Sequence, residues 1–143
     1  MRRGKTRSAR YVDGFSAMFR NVIYVMLGGA FGSLARYAVG LVALNLFQGS
    51  FPLGTLFVNV VGSFLLGIIA SVPESGDSLL SAQVRLLLGT GVMGGFTTYS
   101  AFNLEVLRMT QKNSSVEAMT YAFFTLTVCL AAGWIGIRAG SAA

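Results

Sequence analysis

The chain has 143 residues, of which 54% are hydrophobic and only 11% charged, with a mean hydropathy of +0.66; soluble domains carry roughly 25% charged residues. That balance excludes an ordinary soluble domain and marks an integral membrane protein. The formal charge of +6 resides largely in the first residues, so a basic flank touching anionic lipid accounts for it better than nucleic-acid binding does.

Residues 1–20 form a basic tail carrying Arg2, Arg3, Lys5, Arg7 and Arg10. The apolar run behind it is too long for a signal-peptide core and lacks a clear cleavage site. The segment is therefore expected to be a disordered extension or to precede the true start, since Met18 begins an equally good one. A four-helix transmembrane domain is expected over residues 21–138, followed by a short tail of residues 139–143. Its apolar stretches run at about Val22–Phe47, Leu53–Val72, Val84–Leu107 and Val116–Ile137, each long enough for a crossing of about 20 residues at 1.5 Å per residue. Gln48 to Pro52, Pro73 to Ser78 and Thr110 to Ser115 are short, turn-rich or charged connections. The expected fold is all-α, a bundle of membrane hairpins.

With four crossings, Arg20, Arg85 and Arg138 fall on one side. Arg108 and Lys112 fall on the other, joined by Arg36 if it reaches its nearer interface. The spans thus carry no charge bias, and the positive-inside rule assigns them no orientation. A protein inserted both ways and paired antiparallel needs that neutrality. The basic tail favours the opposite outcome, a fixed orientation with the N-terminus inside and a separate, oppositely inserted partner.

Histidine is absent, Cys129 is the single cysteine and sits mid-span, and Glu74 and Asp77 lie together in a loop. No zinc spacing, catalytic triad or Cys–His pair can be assembled, and the chain is not expected to be an enzyme.

The polar groups at membrane depth are more informative. On the first span Gly28 and Gly32, and on the third Gly91 and Gly95, form small-residue surfaces for close helix approach. Thr55, Asn59 and Ser63 on the second span recur every four residues and share one helical face. An amide unpaired in hydrocarbon costs on the order of 4–8 kcal/mol. Asn59 therefore serves either as an anion donor or as an interhelical hydrogen bond. Tyr121, Thr125 and Cys129 repeat the spacing on the fourth span, with Thr120 and Thr127 nearby. On the third span Gly94-Gly95-Phe96-Thr97-Thr98 joins flexible backbone to β-branched hydroxyl residues that compete for local hydrogen bonds. A break there frees carbonyls, the natural ligands of a hard cation such as Na⁺. Just beyond it, Tyr99 and Phe102 lie three apart on one face. The positive edge of an aromatic ring suits an anion.

Together these segments resemble the Fluc (CrcB) family of fluoride ion channels over nearly the whole chain after Met18. The resemblance rests on Gly28-Gly29-Ala30-Phe31-Gly32-Ser33-Leu34-Ala35-Arg36-Tyr37, on Gly54 to Phe64 with Asn59 at the pore asparagine, and on Gly94 to Phe102. It implies an antiparallel, dual-topology dimer in the cell membrane, either a homodimer or a heterodimer with a paralogous subunit. It also implies two pores for passive fluoride efflux, conferring fluoride resistance, and a central structural Na⁺ held at the dimer interface by the Gly94 and Thr97 carbonyls. Fluoride would contact Asn59 and Phe102, with Tyr99 at the first aromatic position, Ser100 near the path, Tyr121 and Thr125 as a hydroxyl track and Arg36 at a vestibule. Tyr99 replaces the family's phenylalanine, Ala101 and Asn103 stand where hydroxyl residues are frequent, and Cys129 stands for a serine.

The main rival is a small dimeric proton-coupled exporter, which needs a carboxylate within a span. Glu105 is the one candidate, and beside Arg108 it is expected to form an interfacial ion pair. A non-transporting assembly subunit would use the small-residue surfaces but leave the polar ladders unexplained.

Overall fold

Hydropathy and backbone agree closely along most of the chain. The computed structural model describes residues 7–47, 51–72 and 82–142. Arg2, Arg3, Lys5, Glu74 and Asp77 lie outside the described residues. Helix α1 is Arg7–Leu46 and α2 is Leu53–Ser71. Helix α3 covers residues 82–96, α4 is Tyr99–Gln111 and α5 is Ser115–Ser141. Three stretches, Gly14–Leu46, Leu53–Ser71 and Ser115–Ser141, are long and apolar enough to cross a membrane.

The second and fourth expected spans match α2 and α5 to within a few residues, while the first needs correction. Helix α1 is 40 residues long, about 60 Å at 1.5 Å per residue. It begins at Arg7, so residues 7–20 of the expected tail are helical. Apolar content limits the part that suits lipid, but it does not limit hydrogen-bonded backbone.

The third segment is broken where the glycine–threonine run predicts. Its first half also contains a π-helical stretch, Leu86–Met93, a rare winding often found at functional sites. Hydropathy carries no signal for it, because winding is a property of backbone register. Helix α3 packs chiefly on α1 and α2 chiefly on α5, with α4 also against α5. The first pairing depends on small residues. A Cβ built on Gly91 would stand 2.8 Å from the Gly28 Cα, so the two helices meet backbone to backbone.

Two polar features fix the connections. Arg85 donates to the Ile69 carbonyl at 3.3 Å and to the Val72 carbonyl, closing the C-terminal end of α2. Asn113 takes a left-handed conformation at φ 60°, which asparagine tolerates, and turns the chain from α4 into α5.

Candidate functional site: the break and its groove

Thr97 and Thr98 leave the helix together, at φ −81°, ψ 158° and φ −151°, ψ 116°. β-branched side chains favour this extended geometry. Thr98 then starts α4 as its N-cap, its Oγ1 accepting from the Ala101 N–H at 3.2 Å.

A break at membrane depth must satisfy the backbone groups it frees, and two side chains from other helices do so. Asn59 on α2 acts as a substitute peptide. Its Oδ1 accepts from the Thr98 N–H at 2.7 Å, and its Nδ2 donates to the Thr98 carbonyl at 3.0 Å. Arg36 on α1 donates from Nε to the Gly95 carbonyl at 3.0 Å. The Arg36 guanidinium therefore turns toward the break and leaves the interfacial charge tally.

This pairing leaves particular carbonyls over. In an unbroken helix the Gly94 carbonyl would accept from the Thr98 N–H and the Thr97 carbonyl from the Ala101 N–H. Asn59 and the Thr98 hydroxyl take those donors instead. Gly94 is exposed, and a Cβ built on it would meet nothing within 4 Å. The two carbonyls that the resemblance implies as cation ligands are thus among those that lose their helical donors.

Beside the break runs an open groove of about 240 Å³, lined by Asn59, Ser63, Tyr99, Phe102, Thr125 and Cys129 among others. It brings together four expected pathway residues: Asn59, Tyr99, Phe102 and Thr125. Phe102 is 7% exposed and Thr125 3%, whereas Tyr99 is 74% exposed. The Tyr99 and Phe102 ring centroids are 5.8 Å apart. Thr125 Oγ1 is buried without a hydrogen-bond partner, an uncommon condition that calls for an explanation. Gly62 shapes the floor, since a Cβ there would collide with the Thr97 methyl. Ser100 is outside the groove lining, exposed and 3.2 Å from the Thr98 hydroxyl.

Tyr121 is fully buried, its ring tilted against Phe102 at 5.4 Å and in edge-to-face contact with Phe51 at 5.2 Å. Its hydroxyl donates to Glu105 Oε2 at 2.8 Å, while Thr55 Oγ1 donates to Glu105 Oε1 at 2.6 Å. The expected ion pair of Glu105 with Arg108 is therefore not formed. Two hydroxyls hold the carboxylate and leave Arg108 outside the cluster. Sequence reading missed this linkage, although Glu105 lies three residues after Phe102 and so shares its helical face. An open hollow of about 390 Å³ adjoins it, lined by Phe51, Thr55, Glu105 and Arg108 among others. Arg36 lines a separate hollow of about 260 Å³ with Tyr37, Thr55 and Thr98.

Residues 23–137 match the family profile described as CrcB-like protein, Camphor Resistance (CrcB). A Sorangium cellulosum protein named fluoride-specific ion channel FluC is 48% identical over 114 residues, covering 80% of this chain and 89% of that protein. Proteins of the same name from Caulobacter sp. (strain K31) and Thermus thermophilus are each 42% identical, over 81% and 84% of this chain and 91% and 94% of their own lengths.

Proposed function

Since this chain belongs to the CrcB family, we propose that it is a passive fluoride-selective channel of the cell membrane, a transporter and not an enzyme, that exports cytoplasmic fluoride and so confers resistance to it. The observation that carries this reading is the groove, where Asn59, Phe102 and the unpartnered Thr125 hydroxyl converge beside a helix break. Helix α3 and helix α4 together make the fourth crossing. Two copies, or this chain and a paralogue, pair antiparallel to give two pores.

Fluoride is small and strongly hydrated, so every station on its route must replace water's donors. Asn59 keeps one amide N–H beyond the one given to Thr98. Thr125 and Ser100 add hydroxyls, and Tyr99 and Phe102 add ring edges. Tyr121 supports Phe102 with its ring, its own hydroxyl proton being directed at Glu105. None of these donors is charged, which suits conduction, because a site that binds too tightly does not release. The Gly94 and Thr97 carbonyls would hold Na⁺, and the bound ion would supply a fixed positive charge that offsets the cost of an anion at midplane.

Fluoride efflux from liposomes holding only this chain, followed with an ion electrode and with chloride as the control, tests the proposal. Fast, fluoride-selective efflux that is lost in Phe102→Ile is expected. Absence of efflux from well-folded homodimer, restored by a co-expressed paralogue, would identify a heterodimeric channel. Absence in both would overturn the reading.

A further inference from the structure

The Arg36–Gly95 hydrogen bond ties one half of the broken segment to α1. It joins residues 59 apart in sequence, and it lies where those two helices already meet at backbone distance. A Cβ built on Gly95 would stand 2.5 Å from the Gly29 carbonyl oxygen and 3.0 Å from the Ser33 amide nitrogen. Arg36 is about one turn beyond Ser33, so its guanidinium reaches the Gly95 carbonyl from a fixed base.

Four carbonyls at the break, those of Gly94, Gly95, Phe96 and Thr97, lose their helical donors, and among the described residues one of them gains a side-chain donor in exchange. Gly95 would accept from the Tyr99 N–H, but Tyr99 opens α4; Arg36 takes its place. The Gly94 and Thr97 carbonyls receive no such substitute. An arginine within a span is costly unless a partner receives it. Among the described residues the carbonyl is the one partner recorded for this guanidinium.

From this division we infer that Arg36 is a positioning residue for the cation site. By occupying the Gly95 carbonyl through its Nε–H, it fixes the end of α3 and keeps the Gly94 and Thr97 carbonyls placed to act as ligands. Arg36 touches neither the cation nor fluoride in this role. The inference rests on the Na⁺ reading given above, and it assigns the effect to a directed hydrogen bond and not to charge alone.

The test measures thermal unfolding of the detergent-purified full chain against Na⁺ concentration, with N-methyl-D-glucamine as the replacement cation, for the wild type, Arg36→Lys and Arg36→Gln. Ligand binding to the native state raises the unfolding midpoint with concentration. Lysine keeps the charge and loses the planar Nε–H donor. Both variants are therefore expected to need roughly tenfold or more Na⁺ for the wild-type stabilisation, the size of one lost hydrogen bond to a charged group. Their fluoride efflux is expected to recover as Na⁺ is raised, a rescue that a misfolded variant would not show. An unchanged Na⁺ dependence in both variants overturns the inference alone. So does wild-type behaviour in Arg36→Lys with loss in Arg36→Gln, because charge would then suffice, and so does efflux that stays lost at every Na⁺ concentration. A wild type indifferent to Na⁺ would sink the cation reading, and this inference with it.

Discussion

The two ends of α4 handle their polar groups in opposite ways. At its start the chain has backbone to spare, and side chains from α2 and α1 absorb it: the Asn59 amide spans both polar groups of Thr98, and Arg36 takes the Gly95 carbonyl. Further along, the surplus is a carboxylate, and hydroxyls from α2 and α5 absorb that instead. In both places most polar atoms are committed to holding the structure. Among the described groups left over at the break and beside it are the Gly94, Phe96 and Thr97 carbonyls, the second Asn59 amide N–H and the Thr125 hydroxyl. In the proposed channel these are the groups free to serve an ion, because a donor or carbonyl already engaged must first break a bond.

Asn59→Asp breaks the break-side arrangement most severely. It replaces the donor facing the Thr98 carbonyl with an acceptor and adds negative charge to the groove. Fluoride efflux should vanish, and stability should fall by about 3 kcal/mol or more; full efflux would remove Asn59 from the pathway. Glu105→Gln attacks the other end, exchanging two hydrogen bonds to a carboxylate for weaker neutral ones. A loss of about 1.5–3 kcal/mol is expected by chemical unfolding. A neutral result would show that the carboxylate does not hold Thr55 and Tyr121.

Thr98→Val removes the cap of α4 while keeping a β-branched residue in the extended break, and should cost about 1 kcal/mol. Thr125→Val has the smallest effect on stability and sharpens the contrast most. The hydroxyl makes no bond within the protein, so its loss should leave stability unchanged or raise it by up to about 1 kcal/mol. Efflux should nevertheless fall roughly tenfold, the worth of about 1.4 kcal/mol for one lost donor, and Thr125→Ser should retain it. Destabilisation by valine with unchanged efflux would place that hydroxyl among the structural groups.

Much of this arrangement is legible along the chain. Leu53–Ser71 begins at the residue where its apolar run begins, because an uninterrupted run able to cross lipid has no other stable backbone state than a helix. The break falls at Thr97 and Thr98, where two β-branched residues follow two glycines. Asn59, Phe102 and Thr125 could be singled out as candidates from their types and spacing together with the family resemblance. Other features left no trace of this kind. The helicity of residues 7–20 and the π-winding of Leu86–Met93 depend on backbone hydrogen bonding, which hydropathy does not encode.

Local pattern thus carries the membrane-spanning class, the span positions, the site of the break and the identity of its principal polar residues, since each depends on neighbours a few positions away. Which polar group meets which is settled by packing between helices. Asn59 meets Thr98 across 39 residues, Thr55 meets Glu105 across 50 and Arg36 meets Gly95 across 59. Hydrogen bonds require their partners within about 3 Å, and no property of a single segment brings such distant groups that close. The same packing converts the expected Glu105–Arg108 ion pair into a carboxylate held by two hydroxyls, and it buries the Thr125 hydroxyl, without a hydrogen-bond partner, in a residue that lines the groove.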